Sequence, residues 1–262
     1  MISLFATLSD GTRIYYEVKG EEEKDTVVLI HHLAGSINSW KRVYPLLLSK
    51  YRVIIYDLRG HGRSSIPPSP YLIDDHSRDL KELLEIENVK EPIIVGHSLG
   101  TLVAIDYALK YTVKKMVLIG ALYKAPAREP YEKMVSIALS LGMEALAKYR
   151  REINDFAPTL YNNPIAWNDL LSVYRENSPL GYKYAVEGLL NARDYSTDLE
   201  KIDVKTLIIY GSEDKLSQNL PVFQQKIRGI KSKVFNGYGH FLNFEAPDDL
   251  SAELLNFLNN SS

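Results

Sequence analysis

Short apolar runs recur along the chain, and their spacing predicts its strands. The runs at residues 26–32 and 51–57 are continuous and rich in Val and Ile, which is typical of strands buried on both faces of a parallel sheet. Further runs predict four more such strands, at residues 92–96, 114–120, 205–211 and 232–237. Residues 2–8 and 12–18 are also rich in β-forming residues. They flank a turn sequence, Ser-Asp-Gly at 9–11, and therefore predict a hairpin.

Helical periodicity fills the intervals between the predicted strands. We expect helices at residues 37–49, 74–87, 99–111, 216–228 and 241–259. The second of these has an apolar stripe formed by Leu80, Leu83, Leu84 and Ile86. Because strands and helices alternate, the chain predicts one mostly parallel sheet with helices on both faces. The hairpin adds antiparallel strands at one edge, which gives an α/β fold with an eight-stranded sheet.

One long segment, residues 121–198, interrupts this alternation. It is helical in pattern, shows no strong strand signal, and is punctuated by Pro126, Pro130, Pro158, Pro164 and Pro179. An insert of this size is too long for a simple crossover between neighbouring strands. We therefore predict an α/β core built from residues 1–120 and 199–262, with residues 121–198 as a helical cap insertion. The cap is expected over the carboxyl edge of the sheet, where open α/β sheets bind ligands.

Composition and charge narrow the function classes. Across 262 residues the net charge is −2 and the apolar content is 45%, so neither nucleic acid nor an anionic membrane is an expected partner. The chain contains no cysteine, which excludes disulfides, thiolate metal sites and a cysteine nucleophile. It has no run of 18 apolar residues and no signal-peptide pattern at its start, so we expect a cytoplasmic protein without a membrane span.

The stretch IIVGHSLGTLVA, residues 93–104, places a single serine where a predicted strand turns into a predicted helix. Ser98 stands between Gly96 and Gly100, and bulky side chains at those two positions would collide because strand and helix pass close together. So sharp a turn strains the backbone of its central residue and lifts that side chain above the sheet. The helix N-terminus adds free N–H groups and a positive dipole. These features predict a nucleophilic serine.

A reactive serine needs a base and an acid that orients the base. His240 directly follows the last predicted strand, and Asp214 follows the strand before it. Both are therefore expected at the same edge of the sheet as Ser98, in the chain order serine, acid, histidine that this fold uses. Glu245 is expected to support the loop of His240. The Asp-Asp-His cluster at 74–76 is assigned to the first turn of a helix, so we predict no metal site.

Five segments resemble those of a known family: IHHLAGSINSW, YDLRGHGRSS, VGHSLG, IIYGSEDK and GYGHFLNFEAP. Together they make the chain resemble the α/β-hydrolase fold superfamily, especially its small capped serine esterases and lactonases. The resemblance implies that Ser98 is the nucleophile, that His240 is the general base and then the general acid, and that Asp214 orients the imidazole. It also implies an oxyanion hole formed by the backbone N–H groups of Leu33 and Leu99.

Other positions beside these motifs are candidates for a role at the site. The family usually has glycine where this chain has His32, so we expect His32 to adopt a backbone geometry suited to glycine. His32, His97 and Tyr123 are candidate substrate contacts, although His97, the variable position of the Gly-x-Ser-x-Gly motif, is favoured as a residue behind the site. In this family the loop DLRGHGRSS is structural, and we expect Asp57 to pair with Arg59.

The resemblance implies hydrolysis of a small carboxylic ester or lactone through an acyl-serine intermediate, with no cofactor. Four alternatives stay open: a C–C bond hydrolase, a perhydrolase, a proline-type aminopeptidase, or a non-catalytic small-molecule receptor. A substrate carboxylate could pair with a cap cation such as Arg151, Arg175 or Arg193, although each is better explained as a solvated helix residue. An aminopeptidase would need acidic cap residues, such as Glu152 or Glu187, to hold a free amine.

Overall fold

A single eight-stranded sheet forms the centre of the molecule. The computed structural model describes residues 2–260, so residue 1 and residues 261–262 of the predicted core lie outside it. The strands are β1 (Ile2–Thr7), β2 (Arg13–Lys19), β3 (Thr26–Ile30), β4 (Arg52–Tyr56), β5 (Ile93–His97), β6 (Lys115–Ile119), β7 (Thr206–Gly211) and β8 (Lys231–Phe235). Their order is β1-β2-β4-β3-β5-β6-β7-β8. Strand β2 pairs antiparallel with β1 and β4, and the other pairs are parallel, which confirms the predicted mostly parallel sheet.

The central strands are apolar on both faces because both faces are covered. In β3, Val27 and Leu29 pack into the apolar layer on one face, while Val28 and Ile30 pack into the layer on the other. All four side chains are fully buried, and burial of each stabilises the fold by about 1.5–3 kcal/mol relative to an exposed position. Side chains alternate between the faces of a strand, so a strand covered on both faces has a continuous apolar sequence.

Helices cover both faces of the sheet, as predicted. Within residues 2–260 the α-helices are α1 (Tyr44–Leu47), α2 (Ile73–Ile86), α3 (Leu99–Lys110), α4 (Arg128–Leu141), α5 (Met143–Glu152), α6 (Pro158–Tyr161), α7 (Pro164–Arg175), α8 (Pro179–Leu190), α9 (Leu220–Lys226), α10 (Leu242–Glu245) and α11 (Pro247–Asn259). Helices α1 and α11 contribute to the apolar layer on one face, and α2, α3 and α9 contribute to the other. None of the helices in this described range is long and apolar enough to cross a membrane.

Two predicted helices begin as 3₁₀ turns. The prediction at residues 37–49 corresponds to the 3₁₀ turn Ile37–Trp40 and then α1. The prediction at 216–228 corresponds to the 3₁₀ turn Lys215–Asn219 and then α9. Such tight turns are common at helix ends, and a periodic apolar pattern does not distinguish one from the first turn of an α-helix.

Two further details of the helical predictions are wrong. The predicted helix at 241–259 breaks at Ala246 into α10 and α11, because Pro247 disfavours a helical backbone in the residue before it. In α2 the three leucines of the predicted stripe are buried, but Ile86 is 47% exposed. With 3.6 residues per turn, Ile86 lies about 120° around the helix from Leu80. It therefore points away from the stripe.

Residues 121–198, all of which the structure describes, contain no strand and hold the five helices α4–α8. Three of these helices begin at a proline: Pro158, Pro164 and Pro179. Proline suits the first position of a helix because the N–H that it lacks would have no partner there. Three of the prolines that punctuate the segment therefore mark helix starts.

Candidate active site

Ser98 lies at the sharp turn between β5 and α3. Its φ is 54° and its ψ is −115°, a backbone conformation that costs a residue with a side chain roughly 1–3 kcal/mol. A Cβ atom at Gly96 would lie 2.3 Å from the carbonyl oxygen of Gly100, and one at Gly100 would lie 2.5 Å from that of Ile30. These distances leave no room for a side chain, so both glycines are needed to bring α3 this close to the sheet.

His240 and Asp214 form a hydrogen-bonded pair in the loops after β8 and β7. The Nδ1 atom of His240 lies 2.8 Å from Oδ2 of Asp214, so the carboxylate holds a proton on Nδ1 and leaves Nε2 unprotonated in the neutral ring. The other carboxylate oxygen accepts the backbone N–H of Leu216 at 2.9 Å. Burial alone would raise the pKa of Asp214, but the His240 ring and the Leu216 N–H outweigh burial and lower it. Asp214 is therefore ionised and fixes the orientation of the imidazole.

A cavity of about 510 Å³ joins these residues to the helical segment 121–198. Ser98, Asp214 and His240 all line it. The segment 121–198 contributes many of its other walls, among them Pro126, Tyr131, Met134, Arg150, Phe156 and Tyr182. The structure thus brings the predicted serine, acid and histidine to one cavity, whose volume falls in the range of roughly 300–1,000 Å³ that is typical of small-molecule sites.

Leu33 and Leu99 present backbone N–H groups at the two turns predicted to hold an oxyanion. Leu99 is the first residue of α3, where an N–H has no carbonyl partner within the helix. Leu33 lies in a tight turn closed by a 2.8 Å hydrogen bond from the N–H of Gly35 to the His32 carbonyl. The residue with a positive φ in this turn is Ala34, at 60°. The expectation that His32 takes a glycine-like geometry is therefore wrong, because the left-handed position falls two residues later.

Of the candidate substrate contacts, His32 and His97 occupy different environments. His32 lines the cavity, but its ring nitrogens are engaged by the carbonyl of Leu33 and the hydroxyl of Ser39. His97 is not among the lining residues, and its Nε2 donates to the backbone carbonyl of His240 at 2.9 Å. Burial lowers the pKa of His97 to about 3, so its ring is neutral. The assignment of His97 as a substrate contact is corrected: it supports the loop of His240 from behind.

Tyr123 and the three predicted cap cations are not among the residues that line the cavity. The ring of Tyr123 packs against that of Phe223, with 5.9 Å between the ring centroids, so its assignment as a substrate contact is also corrected. Arg175 and Arg193 each pair with an acidic neighbour. Arg151 lies over two aromatic rings. Arg151 and Arg175 are therefore helix-surface residues, as expected, whereas Arg193 lies in the loop after α8 rather than in a helix.

Two cations that the sequence does not single out, Arg150 and Lys215, line the cavity. Arg150, in α5, donates from Nε to Asp155 at 2.7 Å and from Nη1 to the Tyr174 hydroxyl at 2.6 Å. The sequence has no signal that separates Arg150 from the adjacent Arg151. The difference depends on which side of α5 faces the cavity, and that is set by the packing of the surrounding helices.

Glu245 connects the loop of His240 to the helical segment. Its carboxylate accepts the backbone N–H groups of Gly239 at 2.8 Å and Phe241 at 2.9 Å, on either side of His240. It also accepts the hydroxyl of Thr159, in α6. Glu245 therefore supports the histidine loop, as expected, and ties that loop to residues 121–198.

A second group of hydrogen bonds ties the same segment to the loop of Leu33. The side-chain amide of Asn177 donates to the carbonyls of Ala34 at 3.0 Å and Gly35 at 3.1 Å. The neighbouring Glu176 accepts the hydroxyl of Ser36. Both loops that approach Ser98 are thus held by side-chain hydrogen bonds from residues between β6 and β7.

Asp57 does not pair with Arg59, contrary to the expectation. Asp57 accepts the backbone N–H groups of Ile37 at 2.7 Å and Arg63 at 2.9 Å, because the loop after β4 curls around its carboxylate. Arg59 instead donates to Asp79, in α2, with 2.6 Å between Nε and Oδ2. The role of Asp57 is to join the loops after β3 and β4.

The fold and the site together define a class of protein. A family model for the alpha/beta hydrolase fold matches residues 25–167, and the chain belongs to this family. A non-heme haloperoxidase from Rhodococcus erythropolis is 27% identical to it, over 97% of this chain and 98% of the relative. The crystal structure of an esterase from Rhodococcus sp. ECU1013 has a TM-score of 0.85 at 26% identity and covers 100% of both chains. That of an enol-lactonase from Burkholderia xenovorans LB400 has a TM-score of 0.90 at 23% identity, over 98% of this chain and 100% of the other; this likeness concerns the fold alone.

Proposed function

We propose that the chain is a serine hydrolase that cleaves a small carboxylic ester or lactone through an acyl-serine intermediate. The observation that carries the proposal is a single cavity that is lined both by the strained Ser98 and by the hydrogen-bonded pair of His240 and Asp214. Membership of the alpha/beta hydrolase fold family and the similarity to an esterase support it. In this proposal residues 121–198 form a cap over the core, and the protein acts in the cytoplasm.

The mechanism assigns one role to each group. Ser98 attacks the carbonyl carbon while Nε2 of His240 accepts the hydroxyl proton, and the Asp214 carboxylate stabilises the imidazolium that forms. The carbonyl oxygen becomes negatively charged and accepts hydrogen bonds from the N–H groups of Leu33 and Leu99. The alcohol leaves with the proton from His240, and a water deprotonated by the same nitrogen releases the acid. The mechanism requires no cofactor.

The dimensions and walls of the cavity favour a small substrate. Its volume of about 510 Å³ suits an acyl group of roughly two to eight carbons. Aromatic rings form much of the wall, from Tyr131, Phe156, Tyr161, Tyr182 and Phe241. Such rings are rigid and offer polar tips at the tyrosines, which suits a compact substrate with a polar group better than a long hydrocarbon chain.

The arrangement of carboxylates favours ester chemistry over an aminopeptidase. Glu152 and Glu187, which would have to hold a free amine, are not among the residues that line the cavity. The carboxylates that do line it are Asp155, Asp214 and Glu213. The first pairs with two cations and the second with an imidazole, while the third is exposed to solvent. None of them is a buried carboxylate left available for an ammonium group.

The serine itself provides the decisive test. Ser98→Ala should keep its fold and lose hydrolysis of p-nitrophenyl esters and small lactones by at least about 10⁴-fold. Ser196→Ala, which removes a hydroxyl outside the cavity, should retain full activity. A fluorophosphonate probe should label Ser98 alone, as read by mass spectrometry of the digested protein. Activity in Ser98→Ala, or labelling at another serine, would refute the assignment, and ligand binding without turnover would favour the receptor alternative.

A further inference from the structure

A largely buried arginine faces the cavity close to the loop of the proposed base. Arg150 has 17% of its side chain accessible and lines the cavity together with Phe156 and Phe241. Its guanidinium carbon lies 4.6 Å from the ring centroid of Phe156 and 5.8 Å from that of Phe241. Phe241 directly follows His240 in the chain. Stacking on these rings therefore holds the cation beside the residues proposed to act on the substrate.

The guanidinium of Arg150 has hydrogen-bonding capacity that the protein does not use. An arginine carries five N–H donors in a planar fork. Asp155 accepts from Nε and the Tyr174 hydroxyl accepts from Nη1. Within residues 2–260 no group accepts from Nη2. Nη2 is also not among the buried side-chain atoms that lack a partner, so it is accessible. The fork can therefore donate to an acceptor that enters the cavity.

Arg150 and its two charged neighbours, Asp155 and Lys215, together carry a net positive charge. Asp155 accepts from Arg150 at 2.7 Å and from Lys215 at 3.3 Å. Burial alone would raise the pKa of Asp155, but the two cations outweigh burial and lower it, so the carboxylate is ionised. Two cations and one carboxylate give this group a net charge of +1. Of the other lining carboxylates, Asp214 is ionised, but its oxygens are engaged by His240 Nδ1 and the Leu216 N–H. Glu213 is exposed, where solvent and salt screen its charge.

We propose that Arg150 binds a carboxylate of the substrate, so that the preferred substrates are half-esters of short dicarboxylic acids or lactones that bear a carboxylate. The inference rests on the proposed ester or lactone hydrolysis and names the substrate class of that same site. A carboxylate matches the planar fork of a guanidinium, and hydrogen bonds between the two are strengthened by charge. Hydrolysis of such a half-ester consumes only water and yields a dicarboxylate and an alcohol.

Binding to a protein that does not turn over its ligand tests this directly. Monomethyl glutarate and methyl glutaramate differ only in a carboxylate against a neutral amide of similar size. Titration of each into Ser98→Ala protein, followed by NMR, should give a dissociation constant about 10- to 100-fold lower for the anion. Equal constants for the two ligands would overturn the proposal, and this comparison depends on no substitution at Arg150.

Two neighbouring arginines then provide a matched pair of variants. Arg150→Gln and Arg151→Gln each remove one positive charge from adjacent positions of α5, but only Arg150 lines the cavity. In the Ser98→Ala background, Arg150→Gln should bring the ratio of the two dissociation constants to about 1, whereas Arg151→Gln should leave it unchanged. Equal loss in both variants would show a general charge effect and overturn the proposal. Circular dichroism and thermal melting check that each variant is folded; if Arg150→Gln is not, the ligand comparison above decides.

Turnover separates this inference from the proposed function. In the unsubstituted enzyme, kcat/KM for monomethyl glutarate should exceed that for methyl glutaramate by a similar factor, measured as methanol release. Equal values would sustain ester hydrolysis and overturn the role of Arg150. Selective binding of the anion without hydrolysis of any ester would sustain the anion site and overturn the proposed function.

Discussion

Acid should unfold this protein because its buried histidines take up protons only when the chain unfolds. The structure describes all six histidines, and five of them are fully buried: His31, His32, His61, His76 and His97. Burial lowers the pKa of each, to about 4 for His61 and about 3 for His97. In the unfolded chain these rings titrate near 6.5. Their contribution to stability is therefore present in full above about pH 6.5 and is lost as the pH falls toward their folded-state pKa values.

The size of the loss follows from counting protons. Each histidine that is protonated only in the unfolded chain lowers the free energy of unfolding by about 1.4 kcal/mol for each unit that the pH falls. Two carboxyls act in the opposite direction, because burial raises the pKa of Asp57 to about 7 and that of Asp79 to about 6. Unfolding therefore takes up five protons at the histidines and releases two from the carboxyls, a net uptake of three. The free energy of unfolding then falls by about 4 kcal/mol per pH unit below about pH 5.5. A domain with the usual 5–15 kcal/mol of stability should then unfold with a midpoint near pH 4–5.5.

Urea unfolding between pH 8 and 5, followed by circular dichroism, measures this slope. His76→Leu supplies the control, because neither ring nitrogen of His76 has a hydrogen-bond partner in the described residues and an apolar side chain of similar size breaks none. This variant should reduce the slope by about 1.4 kcal/mol per pH unit and unfold at lower pH than the wild type. A wild-type stability that is constant from pH 7.5 to 5, or an unchanged slope in His76→Leu, would refute the reasoning.

Two further predictions concern groups around the imidazole. Asp214→Asn should keep the fold and lower kcat by about 10³- to 10⁴-fold at neutral pH, because an amide favours the wrong imidazole tautomer; steady-state assays that show a mild effect would identify a different acid. Glu245→Gln should lower both kcat and the melting temperature with little change in KM. Gly239 and Phe241 donate to different oxygens of the carboxylate, and in glutamine one of these becomes an NH2 group that cannot accept. Thr159→Val, which removes only one donor to the same carboxylate, should have a smaller effect. An equal effect would contradict the role given to the Glu245 carboxylate in holding the histidine loop.

Features that depend on local sequence or on chain topology were predictable. Two glycines at fixed spacing from Ser98 are enough to indicate the close approach of α3 to the sheet, because no other residue fits there. Asp214 and His240 each follow a parallel strand directly, and parallel strands end at one edge of a sheet. Their proximity therefore follows from their positions along the chain, although they lie far from Ser98 in sequence.

Features that depend on the rotation of an element or on the path of a loop were not predictable. Arg150 and Arg151 are identical in type and adjacent in sequence, yet only one of them lines the cavity, because the helices of residues 121–198 pack in one orientation. Likewise, Asp57 lies two residues from Arg59 but binds backbone N–H groups of two loops instead. In both cases the deciding contact is tertiary, and no local pattern encodes it.

The hydrogen bonds from residues 121–198 divide that segment into two kinds of position. Asn177 and Thr159 bond to the loops of the proposed oxyanion hole and base, so a change there would alter the geometry of the reaction for every substrate. Positions such as Tyr131, Met134 and Arg150 line the cavity and have no hydrogen bond to either loop in the described part of the chain. In the proposed enzyme, substrate choice can therefore vary through α4, while Asn177 and Thr159 hold the two loops in place.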